Sequence, residues 1–247
     1  MTAARTRERV PARTPARPPA AAQPDPAGGS AQPDTAGGSV LPDPAGMTAP
    51  DRAALWRQRL VEAEAGMTDF LVSRHARTDL VDWLYEQSEL LADLPDRASS
   101  VPEEWQRVFF RAQALMERFI VTRHGEGELA EWAAANSRVF GRLEPTYTGG
   151  PADVVNRIAR QAELYSSVYD VPPADDDRAT ISISHCAIWD YREKARADGV
   201  RLTLDSPCSY CTHALSAHVR AKGFEPSVSL RSDDGEHGCV WVASRAG

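Results

Sequence analysis

Large apolar residues are nearly absent from the first fifty positions and then recur with regularity. From Asp51 to about Asp170 they fall at spacings of three and four, the period of helices with one buried face. Asp51 stands at the head of a helix carrying Leu55, Trp56, Leu60 and Val61. A second, roughly Thr68 to Leu94, carries Phe70, Leu71, Leu80, Trp83, Leu84, Leu90 and Leu91 toward a core, and Pro95 ends it. Ser100-Val101-Pro102-Glu103 is a start signal for a third, which bears Trp105, Val108, Phe109, Leu115, Met116, Phe119 and Ile120. His124-Gly125 closes that helix, because glycine accepts the left-handed backbone of a helix end. Two more are predicted, Gly127 to about Leu143 and Pro151 to Tyr169, joined by the loop 144–150. Periodic burial alone accounts for the aromatic residues of this half.

Past Pro172-Pro173 the period shifts to two. Thr180-Ile-Ser-Ile-Ser184 alternates as a half-buried strand does. Ala187 to Ala197 is predicted helical and stops at Asp198-Gly199; Val200 to Leu204 is predicted as a short strand. Ser209 to Lys222 is a further helix, ended by Gly223, and Val228–Arg231 with Cys239–Ala243 suggests a hairpin turning through Ser232 to Gly238. The fold class is therefore α+β. A tail over 1–49 precedes a helical part over 50–172, and a small C-terminal α/β module with antiparallel strands, read as β-α-β-α-β-β, occupies 173–247.

The tail is dense in Pro, Ala, Gly and Asp and repeats every nine residues, QPDPAGGSA from Gln23 and QPDTAGGSV from Gln32. With nothing to bury it is expected to be disordered. Over the 247-residue chain the formal net charge is −7 and the isoelectric point near 5.4, which argues against nucleic acid as the main partner. No apolar run is long enough to span a membrane, and Arg5, Arg7 and Arg9 are followed by no apolar secretory segment. The expected location is the cytoplasm, the expected partner a small-molecule substrate, and a homo-oligomer stays open.

All four cysteines lie in the last quarter of the chain: Cys186, Cys208, Cys211 and Cys239. His185, His213, His218 and His237 crowd the same stretch. In a reducing compartment such a set points to metal binding or thiol chemistry rather than disulfides. Each cysteine falls at the end of a predicted element, so the four side chains are expected to converge. Cys208-Ser-Tyr-Cys211 is one C-x₂-C knuckle, and Cys186 and Cys239 would complete a tetrahedral zinc site. His185, His213 or His237 could replace one thiolate. A catalytic thiol at Cys211 or Cys208, activated by a helix N-terminus and by His213, is the competing reading, and small buried apolar residues the bland one.

The order of residues carries a resemblance. A strand ending in Cys186, the Tyr191-Arg-Glu helix, the Gly199 turn, the Cys208/Cys211 pair and a closing Gly238-Cys239-Val-Trp-Val strand resemble the C-terminal region of the L-2-amino-thiazoline-4-carboxylic acid hydrolase family. The likeness covers Ala179 to Ala243. It departs in an acidic, His-bearing loop (Asp233, Asp234, Glu236, His237) and in Val240 after the last cysteine. The layout is also similar to vinyl-reductase-type sensor domains, which bind ligands without turning them over. The resemblance implies hydrolysis of a C–N bond in a small amino-acid-derived cyclic amidine. On that reading zinc, or a base among His213, His185, Asp190 and His237, activates water; Cys211 is the alternative nucleophile. Arg192, Arg201 and Arg231 are then candidates for holding a substrate carboxylate.

Overall fold

The computed structural model describes residues 46–143, 149–233 and 236–246. The expectations for residues 1–45, for most of the 144–150 loop and for the hairpin tip at 234–235 fall outside the described residues. Along the described chain the elements are α1 (Ala49–Arg74), α2 (Arg77–Leu91), α3 (Pro102–His124), a 3-10 turn (Glu126–Glu128), α4 (Leu129–Leu143), α5 (Pro151–Tyr165), β1 (Val168–Asp170), β2 (Arg178–His185), α6 (Ala187–Ala197), α7 (Cys208–Ala221), β3 (Glu225–Asp233) and β4 (Glu236–Ser244). The class is α+β.

Thr48 caps α1. Its hydroxyl accepts from the Asp51 amide, and the Asp51 carboxylate accepts from the Thr48 amide at 3.1 Å, a reciprocal capping box. Met47 packs against the first core. The helix continues through Gly66, where the apolar pattern had suggested a boundary between two helices. Glycine is needed there for close packing: a Cβ on Gly66 would stand 1.6 Å from Oδ1 of Asn136 on α4. The break comes instead at His75-Ala76, where Asp79 accepts from the Ala76 amide at 3.2 Å and opens α2. On α2, Trp83 and Leu90 are buried and Leu80 partly so, whereas Leu84 and Leu91 face outward, contrary to the inward face expected for all of them.

Two cores organise the molecule. The first gathers Trp56, Met67, Phe70, Trp83, Phe109, Met116, Ile120 and Trp132 from α1 to α4. The second lies under a wholly antiparallel sheet of order β1-β2-β4-β3. Ala179, Ile181 and Ile183 of β2 alternate inward with Trp241 and Ala243 of β4, and meet Val154, Val155, Ile158 and Ala162 of α5 and Val219 of α7. Thus α5, which the sequence groups with the helical half, is the main cover of the sheet.

Two assignments are corrected. Residues 200–204 form no strand; Leu204 is buried in the first core. β1 was hidden in the expected extension of α5 to Tyr169. Ser166 stops that helix in the left-handed region at φ 66°, and Val168–Asp170 then pairs with β2. The module therefore runs β-β-α-α-β-β.

Candidate functional site

The four cysteines meet. Cys186 follows β2 and is the N-cap of α6; Cys208 and Cys211 occupy the first turn of α7; Cys239 lies on β4, opposite Ile183 of β2 and Leu230 of β3. All four line one pocket of about 30 Å³, with Ile188, Trp189, Pro207, Leu230 and Trp241 among its other walls. Backbone ties hold this arrangement. The Cys186 amide donates to the His237 carbonyl at 2.8 Å, which joins the end of β2 to β4. Gly238 lets the strands approach, since a Cβ there would meet the Ile183 carbonyl oxygen at 2.3 Å. The knuckle is fixed from its other side. Tyr210, between Cys208 and Cys211, stacks on Trp132 of α4 with ring centroids 4.0 Å apart, and Asn136 hydrogen-bonds its hydroxyl.

The pocket is apolar and all four thiols are free. Burial raises the pKa of Cys186, raises Cys211 far above the ordinary thiol value and pushes Cys239 up to about 12; neighbouring thiols add to each shift. This direction is opposite to the one a nucleophilic Cys211 needs, and to the lowering expected from the start of α7. His213 is exposed on α7 and is not among the pocket-lining residues.

The remaining candidates separate into a rim and a scaffold. His185 is gripped at both ring nitrogens, by Glu236 at 2.6 Å and Asp190 at 2.8 Å; these bonds raise its pKa. His237 stacks on the pocket-lining Trp189, centroids 3.8 Å apart and planes 16° apart, and its Nδ1 lies 3.3 Å from the Ser232 hydroxyl. Arg192 is buried away from the pocket. It pairs with Glu117 of α3 at 3.3 Å and donates to the Leu204 carbonyl, so its guanidinium ties α6 and the following loop to the helical layer. Arg201 and Arg231 are exposed; Arg231 stands opposite Gly238 and its charge acts on Cys239.

A second ligand set was not found from sequence. His75 at the end of α1, Asp79 in the first turn of α2 and His124 at the end of α3 each offer one ligand atom, and these atoms lie within 4.8 Å of one another. Among the described residues this is the set of three that could hold a metal ion; no three cysteine sulfurs come that close together. The two imidazoles stack at 3.8 Å, and the His124 pKa is lowered, first by burial and then by His75. Only the His75/Asp79 spacing of four was visible beforehand, and that spacing alone is common on helices.

No helix among the described residues is long and apolar enough to cross a membrane. No family model matches the chain, and no curated protein does. Among solved structures it is similar to an Fe(II) unliganded H-NOX protein mutant from K. algicida, at 8% identity and a TM-score of 0.40, over 75% of this chain and 96% of that one. A likeness of that size carries no inference about ligand or activity.

Proposed function

We propose that the C-terminal module is a binding module whose four-cysteine pocket takes one thiophilic metal ion, zinc foremost. One observation carries this reading: four thiols from three elements surround a pocket of about 30 Å³. That volume suits an ion or a water; drug-sized ligands occupy roughly ten times more. The thiols fit the group in kind, since zinc takes thiolates and a metal stabilises the deprotonated form against the burial that now raises it. Side-chain rotation must bring the sulfurs closer, because they do not yet stand at ligand spacing. With four cysteine ligands the ion is closed to substrate and its work is binding and structural.

The thiazoline-type hydrolase is the second reading. It is favoured by His185, next to Cys186 in the chain and bonded to Asp190 and Glu236, an acid–base cluster that can serve a departing nitrogen once one carboxylate swings away from the ring. It requires the pocket to open for a ring-bearing substrate.

Elemental analysis with a native thiol titration separates the readings. The binding module shows one zinc per chain, no reactive thiol until a chelator is added, and loss of zinc in both Cys208→Ala and Cys239→Ala. Metal-free protein with four reactive thiols overturns it. Turnover of 2-amino-thiazoline-4-carboxylate that is abolished by His185→Gln supports the hydrolase instead.

A further inference from the structure

We propose a second metal site in the helical layer, formed by His75, Asp79 and His124, that takes a divalent transition-metal ion of borderline softness. It is independent of the cysteine pocket, and its ligands differ in kind. Two imidazoles and one carboxylate form the ligand set that suits Zn²⁺, Co²⁺, Ni²⁺ or Fe²⁺ and leaves further coordination positions open. Three features of the structure support it.

The first is convergence. The ligand atoms come from three helices and lie within 4.8 Å of one another. The second is an unmet need for a partner. Nε2 of His75 and Nε2 of His124 are both shielded from solvent and neither makes a hydrogen bond. A buried polar nitrogen left without a partner is costly, and such atoms are few in folded proteins. An ion held in the ring planes, at the edge the imidazoles share with Asp79, would give these nitrogens a partner.

The third is the surrounding field. α1 and α3 both end at this point, so the negative ends of two helix dipoles face it, against the positive start of α2, where Asp79 sits. Glu128 adds a carboxylate 3.7 Å from His75 Nε2. Arg123 pairs more closely with Asp82, at 2.7 Å, than with the ligand Asp79, at 3.5 Å, so an ion at the site competes with it for the Asp79 carboxylate; Arg74 lies 3.2 Å from both Glu128 and Glu131. Phe70 and Phe119 pack edgewise or tilted against the imidazoles and supply the dry wall of the site.

The test is a Co²⁺ titration of the full-length, metal-stripped protein, read by calorimetric stoichiometry and by absorbance. One equivalent should bind without a thiolate-to-cobalt charge-transfer band, whether or not a second equivalent enters the cysteine pocket with that band. Asp79→Asn and His124→Gln should each weaken the band-free equivalent by more than about 100-fold, beyond the loss expected for an outer-shell partner. Asp79→Asn keeps an acceptor for the Ala76 amide and loses only a partly exposed ion pair with Arg123 and a first-turn charge, so its metal-free melting temperature should fall by no more than a few degrees and keep the test valid if His124→Gln folds poorly. Retention of the band-free equivalent by Asp79→Asn overturns the proposal. So does a wild-type protein whose cobalt all shows the thiolate band, or one that binds none. Failure at the cysteines removes the banded equivalent only, so the two proposals fall separately.

Discussion

Replacing Arg192 by methionine should destabilise the protein severely, although it removes no side chain that lines the cysteine pocket. The Arg192 and Glu117 side chains are 10% and 7% exposed and 3.3 Å apart, and the same guanidinium serves the Leu204 carbonyl. Methionine preserves much of the side-chain length but leaves a carboxylate buried without its partner. Breaking one side of such a pair costs about 3–5 kcal/mol. For a folded unit of this size, each kcal/mol lowers the melting temperature by about 2–4 °C, so a fall of roughly 6–20 °C is expected. Burial already raises the Glu117 pKa against the pull of Arg192, and without the arginine it rises further. A carboxyl group raised in the folded state contributes stability at low pH that is lost as pH rises, so the damage should be smaller at pH 5 than at pH 8. Adding Glu117→Leu should restore most of the loss, because a well-packed apolar pair of similar volume replaces a buried ion pair at little cost. Thermal unfolding of wild type, both single variants and the double variant completes the cycle. A single variant that melts with wild type, or a double variant no better than Arg192→Met, refutes the scaffold role and reopens substrate binding for Arg192.

Two further outcomes are expected. Burial pushes the Glu64 carboxyl from 4.5 up to about 7, so its stabilising contribution is full below about 4.5 and lost as pH rises through about 7. The shift of about 2.5 units at 1.36 kcal/mol each is about 3 kcal/mol, so Glu64→Gln should gain up to that amount over wild type at pH 8 and nothing at pH 4.5; parallel stability–pH curves would refute it. Tyr210→Phe keeps the stack on Trp132 and loses only the bond to Asn136, about 1–2 kcal/mol. Tyr210→Ala should cost about 3–5 kcal/mol by denaturant titration and, on the proposed reading, weaken zinc binding at the knuckle; equal stabilities for the two variants would remove Tyr210 as its anchor.

The parts of the fold that were legible are those whose causes are local. α3 and α6 stand where the caps and the periodicity placed them, Pro102 to His124 and Ala187 to Ala197, because proline, glycine and a 3.6-residue stripe act within a few residues of the backbone they shape. The α1–α2 boundary differs from the expected start near Thr68 because the apolar pattern does not show that α1 runs on through Gly66, whose missing side chain makes room for Asn136, seventy residues away. β1 was invisible because Val168 and Tyr169 continue the apolar pattern of α5, and only Ser166 in the left-handed region shows that the helix has stopped. The gathering of the cysteines followed only in part from positions at element ends: Cys186, Cys208 and Cys211 do stand where a helix begins, whereas Cys239, expected at the start of the last strand, lies inside the central strand β4. Arg192 reads in the sequence as a candidate for a substrate carboxylate, because its true partner, Glu117, belongs to another layer. The imidazole pair was out of reach for the same reason: His75 and His124 become neighbours only when α1 packs on α3.

The cysteine pocket is not confined to the sheet that carries Cys239. Three ties bind its frame to the helical layer: Tyr210 on Trp132 and Asn136, Arg192 on Glu117, and Tyr191, which stacks on Phe110 at 4.3 Å and takes a hydrogen bond from Gln106. The first sits inside the knuckle and the other two sit on α6, whose N-cap is Cys186. α7 also spans both cores, through Tyr210 on one side and Val219 on the other. On the proposed reading, bringing four sulfurs to ligand spacing must therefore pull on α3 and α4 as well as on the sheet. Metal affinity and the stability of the helical layer are then two sides of one linkage. An α4 substitution such as Asn136→Ala, which touches no thiol, should weaken zinc binding and lower the zinc-bound melting temperature together. If the sheet and α7 held the sulfurs by themselves, only the second effect would be seen.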